Sequence, residues 1–406
     1  MSASLLVTYV SAALVLQVGV AIAVAFWRRK RGAVLQSVAP RSAIPTPGAW
    51  EGWRQFRVVC REYEDRARTL CSFRLEPVDG AELPLFVPGQ FLTFKVPVSA
   101  KRALVRCYSL SDGPNATSYR ITVKRVLAPA GRPELPAGVC SNHLHDVLQV
   151  GDVIGAKAPS GRFVVEPDSS VSTVLIAGGI GITPLLSMLR GGLAAQTNCA
   201  VHLFYGARNG AEHGFRSELG ELSRLHPAFH LHVVYSQPDL EDLPGLDFRH
   251  AGHVDVDLLR RTLPAGRHRF YVCGPPPMMA SLIAGLLEWG VLPDDIHHEA
   301  FGPASVRSMQ ASSRAEIPRA SLSLEVMFRR SSRTLAWDGI EANLLDFAER
   351  HDLSVESGCR SGSCGTCEVK VISGTVCYAE KPDHEITPGH CLLCVGFPQS
   401  ALELEA

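Results

Sequence analysis

The sequence predicts a chain of several domains: an N-terminal transmembrane helix, an antiparallel β-barrel, an α/β domain with a parallel sheet, and a small α+β domain at the C-terminus. Three observations predict it. Leu5–Trp27 is a run of 23 residues without a formal charge. Short apolar runs broken by Gly and Pro give way, near residue 166, to alternating strand-like and helix-like stretches. Six of the twelve cysteines fall between Cys359 and Cys394.

The apolar run comes first. As a helix it would reach roughly 34 Å, enough to cross a hydrocarbon core of about 30 Å. Arg28-Arg29-Lys30-Arg31 follows at once, which places the body on the cytoplasmic side of a cell membrane. A cleaved signal peptide is the rival reading, with Ala21-Ile22-Ala23 as its cleavage site. It is disfavoured because no Lys or Arg precedes the apolar run. Residues 1–31 are therefore expected to form an anchor, and 32–50, with Pro40, Pro45 and Pro47, a linker.

Residues 51–165 hold the barrel runs: Phe91–Val96, Tyr119–Val123 and Val153–Ala156. Residues 166–303 hold buried-strand runs at Thr173–Ala177, Ala200–Phe204 and Arg269–Val272, with a helix expected over Pro184–Gly192. Residues 304–320 are polar and rich in Ser and Ala, a second linker, and 321–406 suffice for one small domain. The overall charge is zero, so no basic field argues for nucleic acid. The balance conceals an asymmetry, since 321–406 carry 13 acidic against 7 basic residues. An acidic C-terminal domain suits docking to a basic surface, though it serves equally as a solvated face.

Gly178-Gly179-Ile180-Gly181-Ile182-Thr183-Pro184 lies between an expected strand and helix. Glycines admit a pyrophosphate to the backbone, and the helix start offers free N–H groups. Pro184 stands where a dinucleotide fingerprint has its third glycine. Cys273-Gly274-Pro275, after another buried run, would end at the same sheet edge. In Arg106-Cys107-Tyr108-Ser109, alternation puts Arg106 and Tyr108 on one face with Ser109 at the turn. A flavin needs such a cation, aromatic wall and hydrogen-bond donor, but an ordinary amphipathic strand reads the same way. Gly138-Val139-Cys140-Ser141 opens a helical stretch, Asn142–Leu148, and makes a second phosphate seat. His143 and His145 are two apart and cannot share a helix face, and His297-His298 reads as surface, so neither pair is expected to bind metal.

The strongest local pattern is Cys359-x4-Cys364-x2-Cys367 with Cys394 27 residues on, in a loop of Gly358, Ser361, Gly362, Ser363 and Gly365. This is plant-type [2Fe–2S] spacing, and small residues let the backbone aim N–H groups at sulfur. The rival is a zinc ribbon of Cys364, Cys367, Cys391 and Cys394, which leaves Cys359 and the glycines without a purpose.

Together these motifs resemble the ferredoxin–NADP reductase superfamily, in its oxygenase-reductase-like branch with a C-terminal plant-type ferredoxin domain. The resemblance covers about Gly52 to the C-terminus and implies a β-grasp-like fold for the last domain. Phe86-Val87-Pro88-Gly89-Gln90-Phe91 is similar to the strand before the family's flavin motif. It implies that Arg106, Tyr108 and Ser109 bind flavin, with Thr122 and Lys124 also among the cofactor-binding residues. Gly138, Cys140 and Ser141 resemble the FAD turn of flavohaemoglobin reductase domains, which favours FAD over FMN. It further implies that Gly178, Gly179, Gly181, Thr183, Pro184, Gly274 and Pro275 bind NADH or NADPH. Arg208, after Tyr205-Gly206-Ala207, is the candidate for a 2′-phosphate, with the choice of nucleotide left open. Glu299-Ala300-Phe301-Gly302-Pro303 resembles a flavohaemoglobin segment near the flavin, so Phe301 joins the cofactor residues. Ser109, Cys273 and Glu299 are the expected catalytic residues, and Cys359, Cys364, Cys367 and Cys394 the expected iron ligands. The implied activity moves hydride from NAD(P)H to flavin and single electrons onward through the cluster, at about −400 mV for this cluster type. The expected acceptor is a membrane oxygenase, hydroxylase or desaturase. The alternative is a tethered ferredoxin carrier whose reductase body does not turn over.

Overall fold

The computed structural model describes residues 46, 48–99, 102–128, 136–165, 171–195, 199–301, 324–379, 381–382 and 384–406. The expected membrane span 5–27, the basic cluster 28–31, Gly302-Pro303, the linker 304–320 and nearly all of the linker 32–50 lie outside them. Among the described residues no helix is long and apolar enough to cross a membrane. All but Leu292–Asp294 fall in one unit, Arg41–Val291 and Asp295–Ala406.

Alternating burial builds the first domain. In β1 (Arg54–Tyr63) Phe56 and Val58 point inward between exposed neighbours, as a strand with one solvated face requires. β2 (Leu70–Pro77), β3 (Phe91–Ser99), β4 (Arg102–Ser109), β5 (Tyr119–Lys124) and β6 (Val153–Ala156) complete a six-stranded sheet in the order β4-β3-β6-β1-β2-β5. Every pairing is antiparallel. A bridge from Leu110, just past β4, to Ile121 on β5 closes the sheet into the expected barrel. Phe73, Leu92, Phe94 and Tyr119 fill its interior. Helix α1 (Val139–Asp146) begins three residues earlier than expected, directly after Gly138, and seats Leu144 in that core.

The second domain reads differently because both sheet faces are covered. β7 (Ser172–Gly178), β8 (Val201–Ala207), β9 (Phe229–Tyr235), β10 (His250–Ala251), β11 (His268–Cys273) and β12 (Ile296–Glu299) form one parallel sheet, ordered β10-β9-β8-β7-β11-β12. All six residues of β11 are buried, and its last four, Phe270–Cys273, make a continuous apolar run. α2 (Ile182–Ala194) and α3 (Arg216–Leu225) cover one face; α4 (Val256–Thr262) and α5 (Pro276–Trp289) cover the other. Pro184 is third in α2, where backbone N–H groups have no intrahelical acceptor, so the helix tolerates it. The strand order reverses between β7 and β11, and their carboxyl ends are the crevice where ligands of such sheets bind.

The last domain is α+β. β13 (Leu324–Phe328), β14 (Arg333–Trp337), β15 (Glu368–Ser373), β17 (His390–Leu392) and β19 (Leu402–Leu404) form a sheet ordered β14-β13-β19-β15-β17. β16 (Val376–Tyr378) and β18 (Gly396–Pro398) pair separately. α6 (Leu344–Arg350) starts at Asn343, whose side chain accepts the Asp346 N–H, and it buries Leu344, Leu345 and Phe347 against Val326 and Phe328. The fourth expected iron ligand, Cys394, is not in a strand; it lies in the turn between β17 and β18.

Candidate redox site

Two glycine turns from distant sequence meet at the switch point. Gly181 packs so closely on the Cys273 carbonyl that a Cβ there would collide with it, and a Cβ on Gly178 would come within 2.6 Å of Met278 Sδ and Pro275 Cδ. Gly274 lies against Gly178 in turn. The expected nucleotide residues therefore form one continuous surface, with Thr183 and Pro184 buried in the first turn of α2. Lys124 reaches this surface from the barrel: its Nζ would stand 3.8 Å from a Cβ on Gly179. Glu212 holds Lys124 at 3.7 Å and Arg208 at 2.9 Å. Arg208 thus shares its carboxylate with a cation from the other domain, which its sequence neighbours do not reveal.

Ser109, Cys273 and Glu299 also converge. β11 and β12 set Cys273 beside Glu299 in register, and the Ser109 hydroxyl donates to Glu299 Oε2 at 3.5 Å. Burial, then the Glu299 charge, pushes the Cys273 thiol well above its ordinary value, so it stays neutral. Phe301 packs partly buried at the edge of the same core as Tyr271 and Cys273. His297 stacks on Tyr271 at 4.6 Å, so it is an inner wall rather than open surface, while His298 is exposed.

On the barrel, Tyr108 packs at the core edge with its ring 5.9 Å from Phe94. Burial raises its phenol, and the buried Cys140 at the start of α1 is among its neighbours. Arg106 sits one residue before Cys107 on the same strand and donates to the Val105 carbonyl at 2.7 Å. Ser141 Oγ donates to the Gly138 carbonyl at 3.2 Å. The hydroxyl of Thr122 turns elsewhere: it exchanges hydrogen bonds with Ser72 (2.7 Å) and Ser111 (2.8 Å) inside the barrel. Its hydroxyl is thereby part of the barrel's interior network. His145 is likewise structural, with Nε2 2.9 Å from the Val123 carbonyl.

The cysteine loop presents backbone donors to sulfur. N–H groups of Ser361 and Ser363 donate to Cys359 Sγ at 3.4 and 3.3 Å, and that of Cys359 donates to Cys364 Sγ at 3.3 Å. Arg360, Gly362 and Gly365 take positive φ to make the curve. Gly365 could carry no side chain in any case, because the His384 ring fills that space. The thiols form two pairs, Cys359 with Cys364 and Cys367 with Cys394. Cys364 is held below its ordinary value by hydrogen bonds from Cys107 and then Cys359, and Cys367 by one from Cys394. Two pairs of thiols within a cradle of N–H donors suit a two-iron cluster. Among the described residues no group of three His, Cys, Asp or Glu side chains is arranged to hold a single metal ion. Cys391 is buried in β17 with Cys367 among its neighbours, and burial pushes its thiol up to about 12.

This loop rests on the barrel. Cys107 neighbours Cys364, and Lys157 Nζ lies 3.5 Å from the Cys364 carbonyl oxygen. Neither contact is legible in the sequence, since 207 residues separate Lys157 from Cys364.

Known proteins resolve the same three parts. Residues 61–165 match the oxidoreductase FAD-binding domain, 175–283 the oxidoreductase NAD-binding domain, and 329–399 the 2Fe-2S iron-sulfur cluster binding domain. A flavohemoprotein of Rhizobium meliloti is 40% identical over 257 residues, covering 63% of this chain and 62% of that protein. The chain thus spans about 62% of the length of the curated relatives it matches. The flavohem-like FAD/NAD-binding domain of nitric oxide dioxygenase from Vibrio cholerae is 32% identical with a TM-score of 0.54, covering 62% of this chain and 99% of that one. Phthalate dioxygenase reductase, described as modular for electron transfer from pyridine nucleotides to [2Fe–2S], is 25% identical with a TM-score of 0.53, covering 88% of this chain and 98% of that one. The chain belongs to the ferredoxin–NADP reductase superfamily, as a member in which an FAD-binding barrel and an NAD-binding sheet are followed by a C-terminal [2Fe–2S] domain.

Proposed function

We propose that this chain is an NAD(P)H-dependent reductase that passes electrons through FAD and a [2Fe–2S] cluster to an external oxygenase, hydroxylase or desaturase in the membrane. The observation that carries it is the seating of the cysteine loop on β4, the strand that holds Arg106, Tyr108 and Ser109. Bound there, the cofactors supply the change from two-electron to one-electron chemistry. The protein's own residues supply position. Lys124 and the Gly178–Gly181 turn would receive the nucleotide phosphates, with Glu212 as the carboxylate that Lys124 leaves. Ser109, fixed by Glu299, would present its hydroxyl to the flavin ring, and the neutral Cys273 would keep water from the nicotinamide. Cys359, Cys364, Cys367 and Cys394 would hold the irons, two thiolates to each.

The membrane assignment rests on the sequence alone, on Leu5–Trp27 and the basic residues behind it. The acidic balance of 321–406 supports a basic docking surface on the acceptor. Anaerobic titration of the purified protein with NADH, then NADPH, tests the reading. Flavin absorbance should bleach, followed by cluster absorbance with a reduced-cluster electron paramagnetic resonance signal. If dithionite reduces the cluster while neither nucleotide does, the chain is a tethered carrier and not a reductase.

A further inference from the structure

Alternation along β4 sends neighbouring side chains to opposite sides. Tyr108 packs at the barrel core, while Cys107 faces the cysteine loop. On that side the loop is held at three points. Val105 Cγ1 would stand 3.2 Å from a Cβ on Gly358, so the loop approaches the strand there through a glycine. Lys157 holds the Cys364 carbonyl, and the Lys157 N–H donates to the Thr93 carbonyl at 2.8 Å. Cys107 lies between, on the side of the strand that neighbours Cys364, and Thr93, its partner in the β3–β4 register, places Oγ1 3.3 Å from Cys107 Sγ.

A metal-bound Cys364 has no proton to give, so a hydrogen between the two sulfurs must come from Cys107. The Thr93 hydroxyl has a proton of its own and can donate to Cys107 Sγ, leaving the S–H directed at Cys364. We infer that Cys107 is a positioning residue of the electron path: its thiol donates to Cys364 Sγ, so the flavin-holding strand fixes the seat and tunes the potential of the cluster. Hydrogen bonds to cluster sulfurs favour the more negative, reduced state and raise the potential. The inference rests on the proposed function, in which Cys364 binds iron.

Cys107→Val removes the donor and keeps the bulk; Cys107→Ser keeps a donor. Both would be compared with the wild type by electron paramagnetic resonance-monitored redox titration and by stopped-flow reduction with NADH. In Cys107→Val the cluster potential should fall and passage from flavin to cluster should slow about tenfold. The earlier bleaching of flavin by NADH should keep its rate. Cys107→Ser should restore most of the transfer rate, with a potential displaced from wild type by its stronger donor. A Cys107→Val protein with full iron, acid-labile sulfide, potential and transfer rate would overturn the inference. Should that variant fail to hold its cluster, Cys107→Ser decides, and a potential equal to wild type would be the contrary result. Wild-type protein without iron or sulfide would instead refute the proposed function beneath it.

Discussion

Cys391 and Cys394 are three residues apart and equally buried, yet they meet different neighbours. Cys394 shares a hydrogen bond with Cys367 and feels Cys359; Cys391 lies in a strand opposite Val369, with only Cys367 among the cysteines that act on it. Cys394→Ser is therefore expected to lose the cluster signal and cytochrome c reduction while sparing ferricyanide reduction, which flavin alone supports. Cys391→Ser should keep both activities and the cluster spectrum. The opposite pattern would make Cys391 the ligand. Spacing disclosed the loop and three of its thiols, because the ligand interval is local. It could not separate Cys391 from Cys394 by geometry, nor disclose Cys107, whose contact is 257 residues away in a different domain. Thr122 shows what likeness leaves out: among the expected cofactor residues, its hydroxyl already pairs with those of Ser72 and Ser111.

Among the elements, β8 and β9 carry a feature that periodicity passed over. His202 and His230 pair across the strands with ring centroids 4.7 Å apart, and His232 stacks on Phe204 at 4.4 Å. Burial, reinforced by His230 and His268, pushes His202 down to about 4. Burial, reinforced by His202, Arg249, His250 and His230, does the same to His232. Both rings are neutral in the native sheet, whereas in the unfolded chain they gain protons below the ordinary imidazole value of 6.5. Stability should thus hold above that value and fall between pH 6.5 and about 4, by an amount on the order of 3 kcal/mol for each ring. Thermal melts across this range should show the loss, and His202→Phe should flatten it; an equal slope in the variant would remove His202 from the account. Strand and helix positions themselves were readable, because a covered parallel strand is mostly apolar. A histidine in such a run reads as a blemish until the next strand supplies its partner.

At the scale of the molecule, charges tie the barrel to the nucleotide sheet. Arg190 on α2 bridges Asp112 (2.7 Å) and Glu218 (2.6 Å); Glu218 also holds the buried Arg120 at 3.0 Å, and Asp112 holds Arg74 at 3.5 Å. Glu218→Ala would leave Arg120 buried beside no acid at that distance, at a cost of roughly 3 kcal/mol. Urea denaturation should register that loss, while Glu221→Ala, on the exposed side of the same helix, should change little. This lattice was invisible in the sequence, since its bonded partners are up to 98 residues apart and each looks like a surface charge alone. The seating of the cysteine loop on β4 has a kinetic meaning as well. Donor and acceptor belong to one folded chain, so the concentration at which they meet is set by the fold and not by the amount of protein. The internal step is then first order and survives any dilution, while delivery to a separate acceptor remains second order. Of the two, the acceptor's abundance governs only the last.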